Sequence, residues 1–360
     1  MKKFNPDDLK KLTKRLFLAL GFSEKEALIG SDHLIENNLM GVHSHGIIRI
    51  LQYAAEVKEQ KRLKLNTSPR ILRQEDGVAL IDAGFCLGPV AGIKATEKAI
   101  ELAKHYGIGS VTVKNIHHTG RVGAYTSLVA SNNMVGFACV NIPNQKMMRV
   151  APYGGREGRM TTNPISFSCP RNKEFPFLVD MATSTVAEGK IRVAKNRKEK
   201  IPDDWVIDKF GKSSNNPEDL YNGGALLPLG GNKLGHKGFA LGLIVEILAG
   251  ALSGNKVAQK NIEQDGGGFF ILALNIDRYL PLEEFKEEIE KLFLHVKDTP
   301  KLAGFEEIII PGEIEYYTKV RNLKEGIILE EKTWNEIIEL AKSLKISVHD
   351  VINSISPDVN

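Results

Sequence analysis

The sequence predicts an α/β protein. A mixed sheet domain, residues 71–300, lies beside a helical domain built from both ends of the chain, residues 1–70 and 301–360. Three observations carry this. Residues 7–64 read as helices only. Residues 89–142 alternate helix, strand, helix and strand. The tail then returns to helical periodicity at 313–322 and 333–344, and these helices are expected to pack on the first ones.

Each element has a local reason. Helices at 7–20 and 24–39 open the chain. Ser23 and Glu26 form a capping box for the second, and Gly21 and Gly41 suit left-handed caps. A third helix, Ile47–Glu56, is expected to turn Ile48, Leu51, Ala54 and Ala55 inward. Residues 70–83 change period, and Glu75-Asp-Gly reads as a hairpin turn between two short strands. A helix at 89–105, a strand at 108–115, a helix at 121–132 and a strand at 135–142 follow. Further strands are expected at 164–169, 176–180, 268–276 and 306–311, and further helices at 186–195, 237–253 and 282–297. The 237–253 helix is apolar nearly all round, with Leu241, Ile244, Val245, Ile247 and Leu248, and is expected inside. Thr333 with Glu336 reads as another capping box, and a short helix is expected after Ser347.

Composition narrows the class of function. The 360 residues are 42% apolar and 26% charged, which suits a soluble globular protein with a sizeable core. The net charge of +4 is spread through the chain, and the basic run Lys195–Lys200 is broken by Asn196 and Glu199, so no nucleic-acid partner is expected. Cys86, Cys139 and Cys169 lie far apart and form neither a disulfide framework nor a metal knuckle, which points to the cytoplasm. The apolar run Gly238–Ser253 carries Glu246 and is too short to span a bilayer, so no membrane partner is expected.

The chemistry concentrates in residues 41–50, Gly-Val-His-Ser-His-Gly-Ile-Ile-Arg-Ile. Arg49, in the first turn of a helix, can bind a carboxylate through two parallel hydrogen bonds. His45 nearby can pass a proton to an adjacent oxygen. The nucleotide fingerprints fail: position 112 is Thr after Gly107 and Gly109, and His236-Lys237-Gly238 stands where a P-loop needs Lys-Ser/Thr. Instead, His117-His118-Thr119-Gly120-Arg121-Val122-Gly123 joins a strand to a helix, where its amides and Arg121 suit a phosphate. Three more polar loops accompany it: Ala151-Pro-Tyr-Gly-Gly with Thr161-Thr162-Asn163-Pro164, Asp180–Lys190, and Leu227–Gly231 leading to Gly235–Gly238. Together they indicate a ligand cleft. A zinc hydrolase built on His43 and His45 is the alternative from another class. It lacks an acidic or cysteine partner at ligand spacing, so no metal is expected.

Taken in order, these landmarks resemble the type-2 malate/L-lactate dehydrogenase family, whose members include ureidoglycolate, sulfolactate and hydroxycarboxylate dehydrogenases and cyclic-imine carboxylate reductases. Pro311-Gly312-Glu313 completes the series, and the likeness spans nearly the whole chain. Periodicity alone favours a parallel sheet. The resemblance implies a non-Rossmann, mainly antiparallel sheet that binds a dinucleotide, and a homodimer. It implies an NAD(P)-dependent oxidoreductase interconverting a malate- or lactate-like 2-hydroxy acid and its 2-oxo acid, with cyclic-imine carboxylate reduction as the alternative. His45 would be the proton donor and acceptor, oriented by Ser44, with His118 also in the active site. Arg49 would grip the carboxylate, and Thr162, Glu188 and Gly189 would line the substrate pocket. His118, Thr119, Gly120, Arg121, Val122 and Gly123 would contact the cofactor, as would Asp180, Met181 and Ala182, His236 and Lys237, and Pro311, Gly312 and Glu313. The chain departs from the family in three places. Thr161 replaces a glycine, Lys190 stands where some members have a relay aspartate, and Ile314-Glu315-Tyr316-Tyr317 replaces basic residues. The last of these favours NAD over NADP, because an added carboxylate disfavours a 2′-phosphate.

Overall fold

The computed structural model describes residues 2–60, 62–263, 266–352 and 355–356. After strand β1 (Lys2–Phe4), Asn5 caps helix α1 (Pro6–Ala19), its side chain accepting the Asp7 amide at 2.8 Å. Helix α2 (Glu24–Leu39) carries the expected capping box: the Ser23 amide donates to Glu26 at 2.9 Å, and the Glu26 amide to Ser23 Oγ at 3.3 Å. Gly21 and Gly41 both take positive φ beyond these helices. A single 3-10 turn, His43–His45, leads to α3 (Arg49–Lys58).

The inward face of α3 differs from expectation. Ile50, Tyr53 and Ala54 are buried on it, after a buried Ile47, while Ile48, Leu51 and Ala55 are only partly covered. Tyr53 is the large side chain that seats the helix, and it fixes a register one residue away from the aliphatic pattern.

The hairpin β2 (Arg70–Glu75) and β3 (Val78–Asp82) begins the main sheet. Helix α4 (Gly88–Tyr106), β4 (Ile108–Ile116), α5 (Gly123–Ala130), β5 (Met134–Asn141), β6 (Ile165–Cys169) and β7 (Phe177–Met181) follow. Helix α6 (Glu188–Arg197) precedes a small sheet of β8 (Val206–Ile207), β9 (Ser213–Ser214) and β10 (Ala225–Leu226). Helix α7 (Gly231–Val245) runs into a π-helical turn, Glu246–Ala251, and then β11 (Gly267–Asn275) enters the middle of the main sheet. The seven strands lie in the order β2-β3-β4-β11-β5-β6-β7, and among their pairs β3 with β4 alone is parallel. The insertion of β11 between β4 and β5 makes both central pairs antiparallel. That is why helix–strand alternation alone points to the wrong sheet type.

Helices α8 (Leu282–Lys297) and α9 (Glu313–Glu325), strand β12 (Ile327–Leu329), helix α10 (Glu331–Ser343) and strand β13 (Ile355–Ser356) complete the chain. Strands β12 and β13 flank β1, so the two ends share one sheet. Their apolar side chains also share one core, in which Leu9, Leu16, Phe17 and Tyr53 meet Trp334 and Ile337. A second core fills the space between the main sheet and α4 and α5, with Val111, Val113, Phe269 and Ile271 facing Ala95, Ala99 and Tyr125.

Four expectations change. Residues 306–311 form no strand; Pro311 meets β7 only where its carbonyl accepts the Leu178 amide at 3.2 Å. Helix α10 starts directly after β12 with Glu330 as its N-cap, which puts Thr333 inside the helix rather than at its cap. After Ser347 the described residues make a turn, not a helix. The apolar 237–253 segment begins earlier, and with its π turn runs Gly231–Ala251, 21 residues, long and apolar enough to cross a bilayer. Only one side of it is inside: Leu243, Ile244, Ile247 and Leu252 are exposed. Buried Glu246 ties the inner side to the sheet, accepting from Asn163 Nδ2 at 2.9 Å, Asn141 Nδ2 at 3.1 Å and the Ala258 amide at 2.8 Å. Three donors on one buried carboxylate offset the desolvation of its charge.

Candidate active site

Two asparagines at the end of α2 build the histidine loop. Asn38 Oδ1 accepts the Ile47 amide at 2.7 Å, and any side chain at Gly46 would run into Asn38. Asn37, fully buried, donates from Nδ2 to the His45 carbonyl at 3.0 Å and accepts Arg121 Nε at 2.9 Å. The loop that carries His45 is thus fixed to the loop that carries Arg121.

The structure brings His45, His118 and Arg49 together. The His45 and His118 rings stack with centroids 5.3 Å apart and 12° between their planes. Tyr53 Oη hydrogen-bonds His118 Nδ1 at 3.0 Å, a pairing that lets His118 serve in either tautomer. Arg49 donates from Nε to the Ser44 carbonyl at 2.7 Å and from Nη1 to Gln52 Oε1 at 2.8 Å, and Gln52 in turn donates to Glu56 at 2.8 Å. Ser44 therefore reaches Arg49 through its backbone, and its hydroxyl makes no hydrogen bond to His45. The opening of α6 faces this group: a Cβ on Gly189 would lie 3.8 Å from Ser44 Cβ, and the charge of Glu188 is felt at Arg49.

Electrostatics follow from this crowding. Burial, then the charges of Arg49 and Arg121, push the His45 imidazole down to about 3, and its Nδ1 is buried without a hydrogen-bond partner. Burial and the Arg49 charge also hold His118 well below the usual histidine range. Yet both rings, like Arg49, keep some surface open to solvent. Groups that solvent reaches but protein surrounds are the mark of a cleft.

Of the residues expected to contact a cofactor, the Thr119–Gly123 loop and Asp180 are tied to the histidine loop through Asn37. The Arg121 amide donates to His33 Nε2 at 3.2 Å, and a side chain on Gly120, at φ +73°, would strike that ring. Gly123 opens α5 and its amide donates to Asp180 Oδ2 at 2.8 Å; a Cβ there would lie 2.8 Å from both Asp180 Oδ2 and Arg121 Nη1. Arg121 is buried and its Nη1 has no hydrogen-bond partner. Burial raises the proton affinity of Asp180, Arg121 opposes this, and the charge of Glu315 adds to it. Thr119 meets Tyr125 Oη through its carbonyl, and Val122 packs in the core. Met181 and Ala182 continue from Asp180 to Thr183, whose amide donates to the Thr162 carbonyl at 2.9 Å. The Leu229 amide donates to Thr183 in turn, which ties down the start of α7 where His236 and Lys237 are exposed. Thr161 donates to Asn163 at 2.6 Å, and Asn163 takes φ +38°.

Glu313 is placed differently. It is buried, with Lys297 Nζ at 2.7 Å, the Ile310 amide at 2.9 Å and Arg171 Nη1 at 3.7 Å around its carboxylate. It belongs to a packed ion-pair network. Sequence reasoning also missed Asn37 and Tyr53. Tyr53 follows Arg49 by four residues on one helix face, a spacing that could have revealed it. Asn37 gave no such signal, because its partners lie 8 and 84 residues away. Among the described residues no group of three His, Cys, Asp or Glu side chains is placed to hold a metal ion.

A mixed sheet carrying a histidine–arginine cleft at the junction with a helical domain is the arrangement of a hydroxy acid dehydrogenase. A model of the malate/L-lactate dehydrogenase family matches residues 4–338, and the chain belongs to that family. Malate dehydrogenase of Pyrococcus horikoshii is 38% identical over 339 residues, 92% of each chain. L-sulfolactate dehydrogenase of Methanocaldococcus jannaschii is 34% identical over 354 residues, 96% of this chain and 98% of the relative. The solved structure of the Pyrococcus horikoshii malate dehydrogenase superposes with a TM-score of 0.86 at 36% identity, covering 96% of both chains.

Proposed function

We propose that this protein is an NAD(P)-dependent dehydrogenase that interconverts a 2-hydroxy acid and its 2-oxo acid, with His45 exchanging the proton and Arg49 binding the substrate carboxylate. The observation that carries this reading is the His45 imidazole, held neutral mainly by burial, beside an arginine that has no carboxylate partner at ion-pair distance among the described residues. Neutral His45 is ready to accept the hydroxyl proton when the hydroxy acid is oxidised. A carboxylate on Arg49 cancels part of the charge that depresses His45, so substrate binding itself raises the imidazole's proton affinity. In the reductive direction this lets His45 take up a proton and deliver it to the carbonyl oxygen. The ring is held by stacking on His118 and by Asn37 at its carbonyl, rather than by the Ser44 hydroxyl. Thr162, Glu188 and Gly189 complete the wall of the substrate pocket.

A bound nicotinamide dinucleotide supplies the hydride. The buried Arg121 Nη1, without a hydrogen-bond partner among the described residues, suits one of its phosphates, with His118–Gly123, Asp180–Ala182, His236, Lys237 and the Pro311-Gly312 backbone as the other proposed contacts. Glu315 close to Asp180 disfavours a 2′-phosphate and supports NAD over NADP. A cytoplasmic setting agrees with three buried free cysteines. The exposed apolar side of α7 supports a homodimer, which sedimentation of the protein and of an Ile247→Glu variant checks: the variant is expected to be monomeric.

The test of function is loss of reduced-nicotinamide absorbance with NADH and, separately, NADPH, across oxaloacetate, pyruvate, 3-sulfopyruvate, 2-oxoglutarate and a cyclic imine carboxylate. Turnover of a 2-oxo acid is expected. Turnover of the imine alone replaces this reading with a reductase, and silence across the panel removes it.

A further inference from the structure

A second guanidinium, that of Arg192 on α6, lies near enough to Arg49 for its charge to be felt there. The start of α6 lies against the histidine loop, since a Cβ on Gly189 would come within 3.8 Å of Ser44 Cβ. With 3.6 residues per turn, Arg192 falls between Glu188 and Gly189 around the helix, one turn further on. Ile191 turns the other way, into a buried apolar cluster. Of the other basic residues of α6, Lys195 pairs with Glu218 at 2.8 Å and Arg197 with Glu330 at 3.2 Å, while Lys190, in the first turn, is exposed and makes no ion pair among the described residues. Arg192 is exposed and, among the described residues, pairs with no carboxylate. It is near enough to Arg49 that, beyond the larger effect of burial, its charge lowers the proton affinity of that guanidinium. Glu188, whose charge is also felt at Arg49, is engaged by the Tyr221 hydroxyl at 2.7 Å. Two guanidinium groups repelling each other favour a ligand with an anion at each end.

We propose that Arg192 determines specificity at the far end of the substrate, selecting 2-oxo acids that carry a second anionic group, carboxylate or sulfonate, on C3. This rests on the dehydrogenase reading of the same cleft. Arg49 then takes the C1 carboxylate and Arg192 the C3 anion, and the carbonyl between them faces His45. A monoanionic acid leaves Arg192 in water.

The test is kcat/KM of the full chain for oxaloacetate, 3-sulfopyruvate and pyruvate, in the wild type, Arg192→Gln and Arg192→Lys. The wild type is expected to prefer a dianion. Arg192→Gln lowers the dianion-to-pyruvate ratio by about tenfold to a hundredfold, the range for losing one charge-assisted hydrogen bond, and mainly through KM. Arg192→Lys keeps part of the preference. A fall confined to oxaloacetate assigns a carboxylate, and one confined to 3-sulfopyruvate a sulfonate; both support the proposal. An unchanged ratio, or a wild type that favours pyruvate, overturns it and leaves the dehydrogenase intact. A wild type that reduces none of the three overturns this inference, and turnover of another 2-oxo acid then keeps the dehydrogenase reading.

Discussion

Two buried arginines show what separates support from function in this molecule. Arg171 sits between α8 and α9 in a filled environment. It donates to both oxygens of Glu290 at 2.8 and 3.0 Å, faces Glu313 at 3.7 Å, and lies over the rings of Phe175 and Phe293. Arg121 is as deeply buried, yet its side chain is held through Nε by the neutral amide of Asn37. Among the described residues each leaves Nη1 without a hydrogen bond, and only that of Arg171 has a carboxylate within 4 Å, Asp180 acting on Arg121 from farther away. Burying a cation is costly unless it is paired. One site meets that cost within the fold; at the other, the proposed cofactor phosphate would meet it. The same contrast holds for Arg49, which has two neutral acceptors and, among the described residues, no ion pair.

Substitutions at the two sites should therefore fail in different ways. The largest effect is expected at the open site: His45→Ala should lower kcat by about 10²–10⁴ while leaving the melting temperature nearly unchanged. Near-wild-type turnover would take His45 out of the mechanism. At the filled site, Glu290→Ala leaves Arg171 only the more distant Glu313 and should reduce stability by about 1.5–3 kcal/mol, read from urea unfolding, with kcat per folded molecule retained. A loss of kcat without a loss of stability would erase the distinction.

Acid should act on the open side first. His33, buried and accepting the Arg121 amide, is pushed down to about 3, mainly by burial. The unfolded chain binds this proton near pH 6.5 and the folded chain does not. The stabilisation is therefore complete above pH 6.5 and lost as pH falls from there toward 3, by about 1.4 kcal/mol per unit. Unfolding at pH 7, 6 and 5 follows the summed slope of His33, His45 and His118, and His33→Gln should lower it by about 1.4 kcal/mol per unit. The smallest change is Arg49→Lys, which keeps the charge and loses the fork, so KM for the oxo acid should rise by about tenfold. An unchanged KM would leave the carboxylate to another group.

What could be read in advance follows from the range of each interaction. The Ser23–Glu26 box and the turn at Glu75-Asp-Gly are local, and both form as their residues dictate. The loops holding His45, Arg49 and His118 declare themselves by residue type. Their meeting point depends on Asn37, which bonds across 84 residues and has no sequence signature. Strand order is non-local too: nothing near 268–276 says that it will part β4 from β5. The apolar surround of α7 shows what the helix avoids, not what covers it, so Ile244 and Ile247 were expected inside and lie exposed. Glu313 looks like a cofactor contact by its motif, and Lys297 and Arg171 claim it in space.

Burial first, and the charges of Arg49 and Arg121 after it, hold His45 neutral, and a carboxylate on Arg49 is expected to relieve part of that depression. The most direct test is the imidazole titration of His45 by NMR, with NADH alone and with NADH plus oxamate, a 2-oxo acid mimic that resists reduction. A midpoint near 3 without oxamate, moving upward when it binds, is the predicted result. A midpoint that stays put with oxamate bound would contradict the coupling between Arg49 and His45 on which the account depends.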